Sequence, residues 1–117
     1  MLIRAPTGRI VNVTSSLGSL SLASNPEASV ANQVAYFGYS ATKTALNELT
    51  VRLAGELGAG STLKVNSACP GFVATDLNYH SGPRTVEQGA EIIVKLSTLG
   101  ADGPSGGMYD DAGSVPW

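Results

Sequence analysis

Over 117 residues, hydrophobic side chains make up 43% and charged ones 14%, a balance that excludes intrinsic disorder. A net charge of −2, with seven Lys and Arg placed singly, leaves no basic stripe for nucleic acid. One cysteine, Cys69, excludes an internal disulfide framework and a cysteine metal cluster, and no apolar run reaches the ~20 residues of a membrane-spanning helix.

The opening MLIRAPTGRI lacks an apolar core followed by a small-residue cleavage site, so it does not read as a signal peptide. The expectation is a cytoplasmic α/β chain forming one modest domain or part of a larger one. Arg9 to Thr14 is β-branched and follows the turn signal Pro6-Thr7-Gly8, which predicts a buried strand. Ser15 to about Gln33 is rich in Ser, Asn, Gly and Pro and shows no period, which predicts a long loop. From about Tyr36 to Leu57, Ala41, Ala45, Leu46, Leu49, Leu53 and Leu57 recur at helical spacing as the buried stripe. Glu48 and Arg52 add a favourable pair on its outer side. Gly58-Ala59-Gly60 ends that helix, and a second strand runs from Leu63 to Ala68. It stops at Cys69-Pro70-Gly71, where proline cannot donate to a ladder. An irregular loop, Phe72 to Arg84, leads into a Thr85-x-x-Gln88 capping box. Ala90, Ile93, Val94 and Leu96 then continue a helix to about Thr98. Gly106 to Tyr109 predicts a last short strand before the Val115-Pro116-Trp117 tail.

Strands alternating with helices of this length imply a parallel sheet with right-handed crossovers. Three strands and two main helices are thin for such a sheet. The expected fold class is therefore α/β, the second half of a larger domain.

Chemistry concentrates at Tyr39-Ser40-Ala41-Thr42-Lys43. Residues four apart share a helix face, so the Tyr39 hydroxyl and the Lys43 ammonium can serve one site. A phenol in water is a poor acid–base catalyst near neutrality. A cation about 4 Å away favours the phenolate by ~4 kcal/mol at an effective dielectric of ~20, enough to bring it into use. On its own this spacing also fits an interfacial tyrosine beside a solvated lysine. Upstream, Asn12-Val13-Thr14-Ser15-Ser16 delivers hydroxyls at the carboxyl end of a strand, where open α/β sheets bind ligands. Downstream, Pro70-Gly71-Phe72-Val73-Ala74-Thr75 leaves the next strand at the same edge.

The order N-V-T-S-S, then Y-S-A-T-K, then P-G-F-V-A-T resembles the C-terminal half of a short-chain dehydrogenase/reductase, closest to carbonyl-reductase-like members, down to the Pro-Trp ending. The resemblance covers nearly the whole chain. It implies the C-terminal half of a Rossmann-type doubly wound sheet, with residues 1–117 as a partial NAD(P)-binding domain. It also implies reduction of a carbonyl, or oxidation of an alcohol, on a small molecule. Ser15 would hydrogen-bond the substrate oxygen, Tyr39 would be the acid in reduction and the base in oxidation, and Lys43 would favour the Tyr39 phenolate and hold the nicotinamide ribose. Pro70, Gly71, Val73 and Thr75 would join Tyr39 and Lys43 in the cofactor site, with Val73 and Thr75 on the nicotinamide carboxamide. NADP(H) is favoured over NAD(H).

Two departures from the family pattern stand out. The interval from Ser15 to Tyr39 is longer than in the family's common form, and the extra loop around Leu20 to Ala35 leaves the usual oligomer open. The family's Gly-rich turn, its Asn-Ala-Gly segment and its catalytic Asn have no counterpart and are expected ahead of Met1. Gly55-x-x-Gly58-x-Gly60 is no substitute, because it follows a helix and precedes a strand. His80 lacks partners for a metal site but can line the substrate cleft. The Asn12 sequon falls in a buried strand, Cys69 reads as a small core residue, and Asp110-Asp111 reads as a solvated turn. An uncovered helix stripe and a bare sheet edge would drive self-association. A second class of function stays open on these grounds, an inactive truncated chain serving as a folding or association partner.

Overall fold

Ile10, Val11 and Val13 favour extended backbone in strand β1 (Arg9–Val13), which lies parallel to β2 (Lys64–Ala68) with Arg9 opposite Lys64 and Val13 opposite Ala68. The computed structural model describes residues 7–28 and 36–117; Pro6 of the turn signal and residues 29–35 of the expected long loop lie outside them. Strand β3 (Met108–Asp110) pairs parallel with β2, and β4 (Gly113–Val115) pairs antiparallel with β3. The described sheet has four strands in the order β1-β2-β3-β4, one more than expected. The missed strand closes a tight hairpin in which Asp110 Oδ1 accepts from the backbone N–H of Ala112 at 2.9 Å and Gly113 at 3.0 Å. Three residues ahead of a Pro-Trp terminus carry too little periodicity to reveal such a strand.

Among the described residues three helices accompany the sheet, α1 (Leu20–Ser24), α2 (Phe37–Leu57) and α3 (Val86–Ser97). The expected loop after Ser15 instead holds a 3-10 turn, Ser16–Gly18, and α1. Each begins on a serine: Ser15 Oγ accepts from Leu17 N–H and Ser19 Oγ from Leu22 N–H. Serine-rich composition thus signalled caps as well as loop. The chain terminus is tied to α1, with Ser19 Oγ donating to the Pro116 carbonyl at 2.7 Å.

Successive residues of a strand face opposite sides, so β1 and β2 present different chemistry to their two helices. Val11 and Ala68 pack with Ile92, Ile93 and Leu96 of α3 in the apolar core. Asn12 and Ser67 face α2, where Asn12 Nδ2 donates to Thr50 Oγ1 at 2.8 Å and Thr50 and Ser67 share a hydroxyl–hydroxyl bond at 2.9 Å. The α2 face on the sheet is therefore polar, with Asn47 and Thr50 fully buried. The predicted stripe is displaced: Ala41, Ala45 and Leu49 turn outward, Leu49 at 56% exposure, while Leu46, Leu53 and Leu57 are half-buried. Buried polar groups are tolerated here because nearly every one finds a partner, which a count of apolar residues does not detect. On α3 the deepest residue is Ile92 rather than Val94, which is 58% exposed.

Several local expectations hold. The Thr85–Gln88 capping box forms, with Thr85 Oγ1 accepting from Gln88 N–H and Gln88 Oε1 from Thr85 N–H. Beside it the Glu87 carboxyl is held below its ordinary range by its own backbone N–H and by the Thr85 hydroxyl. Arg52 and Glu48 pair at 2.7 Å, which holds the guanidinium above its ordinary range. Gly58, at φ 76°, ends α2, and Cys69 is buried. Asp110-Asp111 does lie at a turn, with Asp111 exposed, but its carboxylates are engaged as well as solvated, since Asp110 caps the hairpin and Asp111 pairs with Arg84.

Candidate active site

The parallel register brings the carboxyl ends of β1 and β2 together, and Thr14 N–H extends the ladder to the Ala68 carbonyl at 2.7 Å. Ser15 leaves from one strand and Cys69-Pro70-Gly71 from the other, side by side. Ser15 is half-buried and caps the Ser16–Gly18 turn. That turn is seated on α2 by a close approach at Gly18. A Cβ there would stand 2.8 Å from Lys43 Cβ and 2.9 Å from the Lys43 carbonyl carbon, closer than real side chains come. The Gly18 carbonyl accepts from Thr44 Oγ1 at 3.0 Å and from Asn47 Nδ2 at 3.2 Å. The serine-bearing turn therefore docks on α2 one helical turn beyond Tyr39.

Lys43 reaches back across this junction. Its Nζ donates to the Val13 carbonyl at 2.8 Å, two residues before Ser15, and lies 5.6 Å from the centroid of the Tyr39 ring. Tyr39 is 41% exposed at the rim. An ammonium has three donors, and the other two of Lys43 have no partner among the described residues. Thr14 Oγ1 and Asn47 Oδ1, beside this junction, are buried without partners among the described residues. Unmet buried polar atoms are rare in folded chains, and both adjoin Ser15 or Lys43.

The other predicted residues stand on the segment after β2. Gly71 has φ 78°, a conformation suited to glycine, and the Arg84 side chain crosses where its Cβ would be. Val73 forms a bridge with Arg84, and its side chain lies against Gly89 of α3, where a Cβ would come within 2.5 Å of Val73 Cγ2. Its carbonyl accepts from Asn78 Nδ2 at 2.7 Å, and Thr75 N–H donates to Asn78 Oδ1 at 3.2 Å. No hydrogen bond among the described residues joins Val73 or Thr75 to Tyr39 or Lys43. Structure thus brings Ser15, Tyr39, Lys43 and the Pro70-Gly71 exit to one edge, while Val73 and Thr75 are fixed within their own loop.

Further along, Tyr79 and His80 both adopt left-handed backbone, at φ 53° and 57°, and Leu77 and Tyr79 are 87% and 93% exposed. His80 Nε2 meets Asp76 Oδ1 at 2.9 Å, so His80 has a carboxylate partner four residues before it that was not expected from the sequence. Among the described residues no three His, Cys, Asp or Glu side chains gather to hold a metal ion. Gly18, Thr44 and Asn47 were missed from sequence. A glycine closing a Ser-Ser-x-Gly run, and an asparagine at i+4 from the lysine, were the available signals.

Residues 1–85 match the family profile described as short chain dehydrogenase. Salutaridine reductase of Papaver somniferum is 35% identical over 87% of this chain and 42% of its own length. Carbonyl reductase (NADPH) 1 of Sus scrofa is 36% identical over 68% of this chain and 29% of its own. The solved structure of salutaridine reductase from Papaver somniferum matches 90% of this chain and 46% of its own with a TM-score of 0.70 at 31% identity. Carbonyl reductase Sniffer of D. melanogaster matches 97% and 44% with a TM-score of 0.70 at 28% identity. This chain spans less than half the length of these relatives.

Docking at Gly18 yields a direct prediction. Gly18→Ala lowers unfolding free energy by about 1–3 kcal/mol through overpacking against Lys43. It also speeds amide hydrogen exchange at residues 15–19 more than in α3. Unchanged stability and exchange would show that the close approach is not part of the folded state.

Proposed function

This chain belongs to the short-chain dehydrogenase family, and from that membership we propose that it carries the proton-transfer site of an NAD(P)-dependent reductase acting on a small carbonyl or alcohol. The observation that supports this most is the position of Lys43, with its ammonium between the Tyr39 ring and the end of β1 and two donors to spare. Tyr39 gives its hydroxyl proton to the substrate oxygen in reduction and takes it back in oxidation. Ser15 holds the same oxygen by hydrogen bonding. Lys43, anchored on the Val13 carbonyl, holds its ammonium beside the Tyr39 ring and has donors for ribose hydroxyls. When bound, the nicotinamide supplies or accepts the hydride.

The residues present fit the nicotinamide end of such a cofactor. Free donors on Lys43, an exposed Tyr39 and the Pro70-Gly71 exit lie where parallel sheets receive ligands. Among the described residues no Gly-rich turn joins a strand to a helix to receive the pyrophosphate. In this proposal residues 1–117 form the C-terminal part of a Rossmann-type domain, and Val73 and Thr75 complete the carboxamide contacts. The name of the Sus scrofa relative carries NADPH, which favours NADP(H) over NAD(H). No helix among the described residues is long and apolar enough to cross a membrane, and a cytoplasmic setting is part of the proposal.

A second reading takes the 117-residue chain as an association partner without turnover. It draws on the outward Ala41, Ala45 and Leu49 and on β1 as an outer strand of the described sheet. Two experiments separate the readings. In the natural protein, Tyr39→Phe lowers the reductase rate over a carbonyl panel by about 100-fold or more, the scale of lost proton transfer. Retention of most of that rate would refute the role given to Tyr39. The 117-residue chain alone, titrated calorimetrically with NADPH and NADH under light scattering, self-associates and binds neither at micromolar affinity. A monodisperse monomer with micromolar binding would instead make it a self-sufficient unit.

A further inference from the structure

Arg84 and Asp111 lie outside the proton-transfer residues, yet Arg84 joins the two ends of the 72–84 loop, the first turn of α3 and the β3–β4 hairpin. The Arg84 backbone clasps the start of that loop: its N–H donates to the Phe72 carbonyl at 3.3 Å and its carbonyl accepts from Ala74 N–H at 2.8 Å. Its aliphatic stem crosses Gly71, with Cδ 2.8 Å from where a Cβ would stand, so any other residue at 71 would displace it. Its Nη2 donates to the Gln88 carbonyl in the first turn of α3 at 2.8 Å and pairs with Asp111 Oδ2 in the β3–β4 hairpin. Arg84 Nε is buried without an acceptor among the described residues. The guanidinium therefore depends on Asp111 and one carbonyl for compensation.

Asp111 is held ready for this contact. Asp110 takes the hairpin's backbone N–H groups, which leaves its neighbour free to face the loop. The two paired side chains are 31% and 34% exposed, so the pair is only partly screened by solvent. Between the clasped ends, Leu77 and Tyr79 project into solvent and Tyr79 and His80 hold strained left-handed backbone. That segment is braced within itself, by the Asp76–Asn78 turn and by Asn78 on the Val73 carbonyl and the Thr75 N–H, so what Arg84 supplies is its attachment to α3 and to the hairpin.

We propose that Arg84 and Asp111 are a positioning pair: an ionic latch that fixes the 72–84 loop to the sheet hairpin and so sets the place of Val73 and Thr75. The effect on cofactor binding rests on the reductase reading above, whereas the effect on loop order does not. The test uses the full chain and chymotrypsin, which cuts after exposed aromatic and leucine residues. Asp111→Asn removes the charge, and Arg84→Met removes it while keeping a stem over Gly71. Each speeds cleavage after Leu77 and Tyr79 by about threefold to fivefold, the range of a partly exposed ion pair, and leaves cleavage after Phe37 unchanged. The double variant is no faster than either single, and Arg84→Lys stays within about twofold of the parent. Unchanged loop cleavage, additive single effects, or equal acceleration at Phe37 would overturn the latch. In the natural protein the same variants raise the cofactor KM more than they lower kcat, and the reverse split would also overturn it. Absence of hydride transfer in the unaltered protein would refute the reductase reading and leave the cleavage result standing.

Discussion

Two hydrogen bonds onto the carbonyl of Gly18, from Thr44 and Asn47, govern the geometry of the candidate site. They seat the turn after β1 against α2 at a glycine, where a side chain would collide with Lys43. Once that contact forms, Ser15 on the turn and Tyr39 and Lys43 on the helix share one edge of the sheet. Lys43 then closes the junction from the other side by bonding the Val13 carbonyl. A helix packed only by apolar contact could slide along the sheet, but a carbonyl held by two directional donors fixes the register. The buried Asn12–Thr50–Ser67 network continues this logic deeper along the interface.

Sequence spacing revealed the elements that rest on strong local rules. The capping box of α3, the end of α2 at Gly58 and the parallel pairing of β1 and β2 are set by backbone chemistry that few residues satisfy. The clustering of Ser15, Tyr39 and Lys43 at a strand end was also legible, because parallel topology sends those ends to one side. The buried face of α2 was not. Hydropathy scores Asn47 and Thr50 as surface residues, and only their partners on β1, β2 and the Gly18 turn show why they are inside. Strand β4 and helix α1 were hidden for a related reason, since elements of three and five residues are stabilised by caps and tertiary bonds rather than by a period.

The two sides of the edge differ in how they are held. On the α2 side, the residues proposed for proton transfer sit on a long helix and a strand end, rigid elements suited to positioning. On the other side, Val73 and Thr75 sit on a loop whose order comes from Asn78, Gly89 and Arg84. In the proposed reductase such a division would let a substrate pass the loop while the proton donor stays fixed. The acidic hairpin links the two, because β3 borders β2 in the sheet and Asp111 reaches the loop.

A crystal structure of the natural protein with a nicotinamide cofactor and a carbonyl inhibitor tests the central claim most directly. In that complex Lys43 bonds at once to the Val13 carbonyl and to the ribose, and the Tyr39 and Ser15 hydroxyls meet on the inhibitor oxygen. A complex with the cofactor seated away from Lys43, or with Ser15 and Tyr39 directed at different groups, would contradict it.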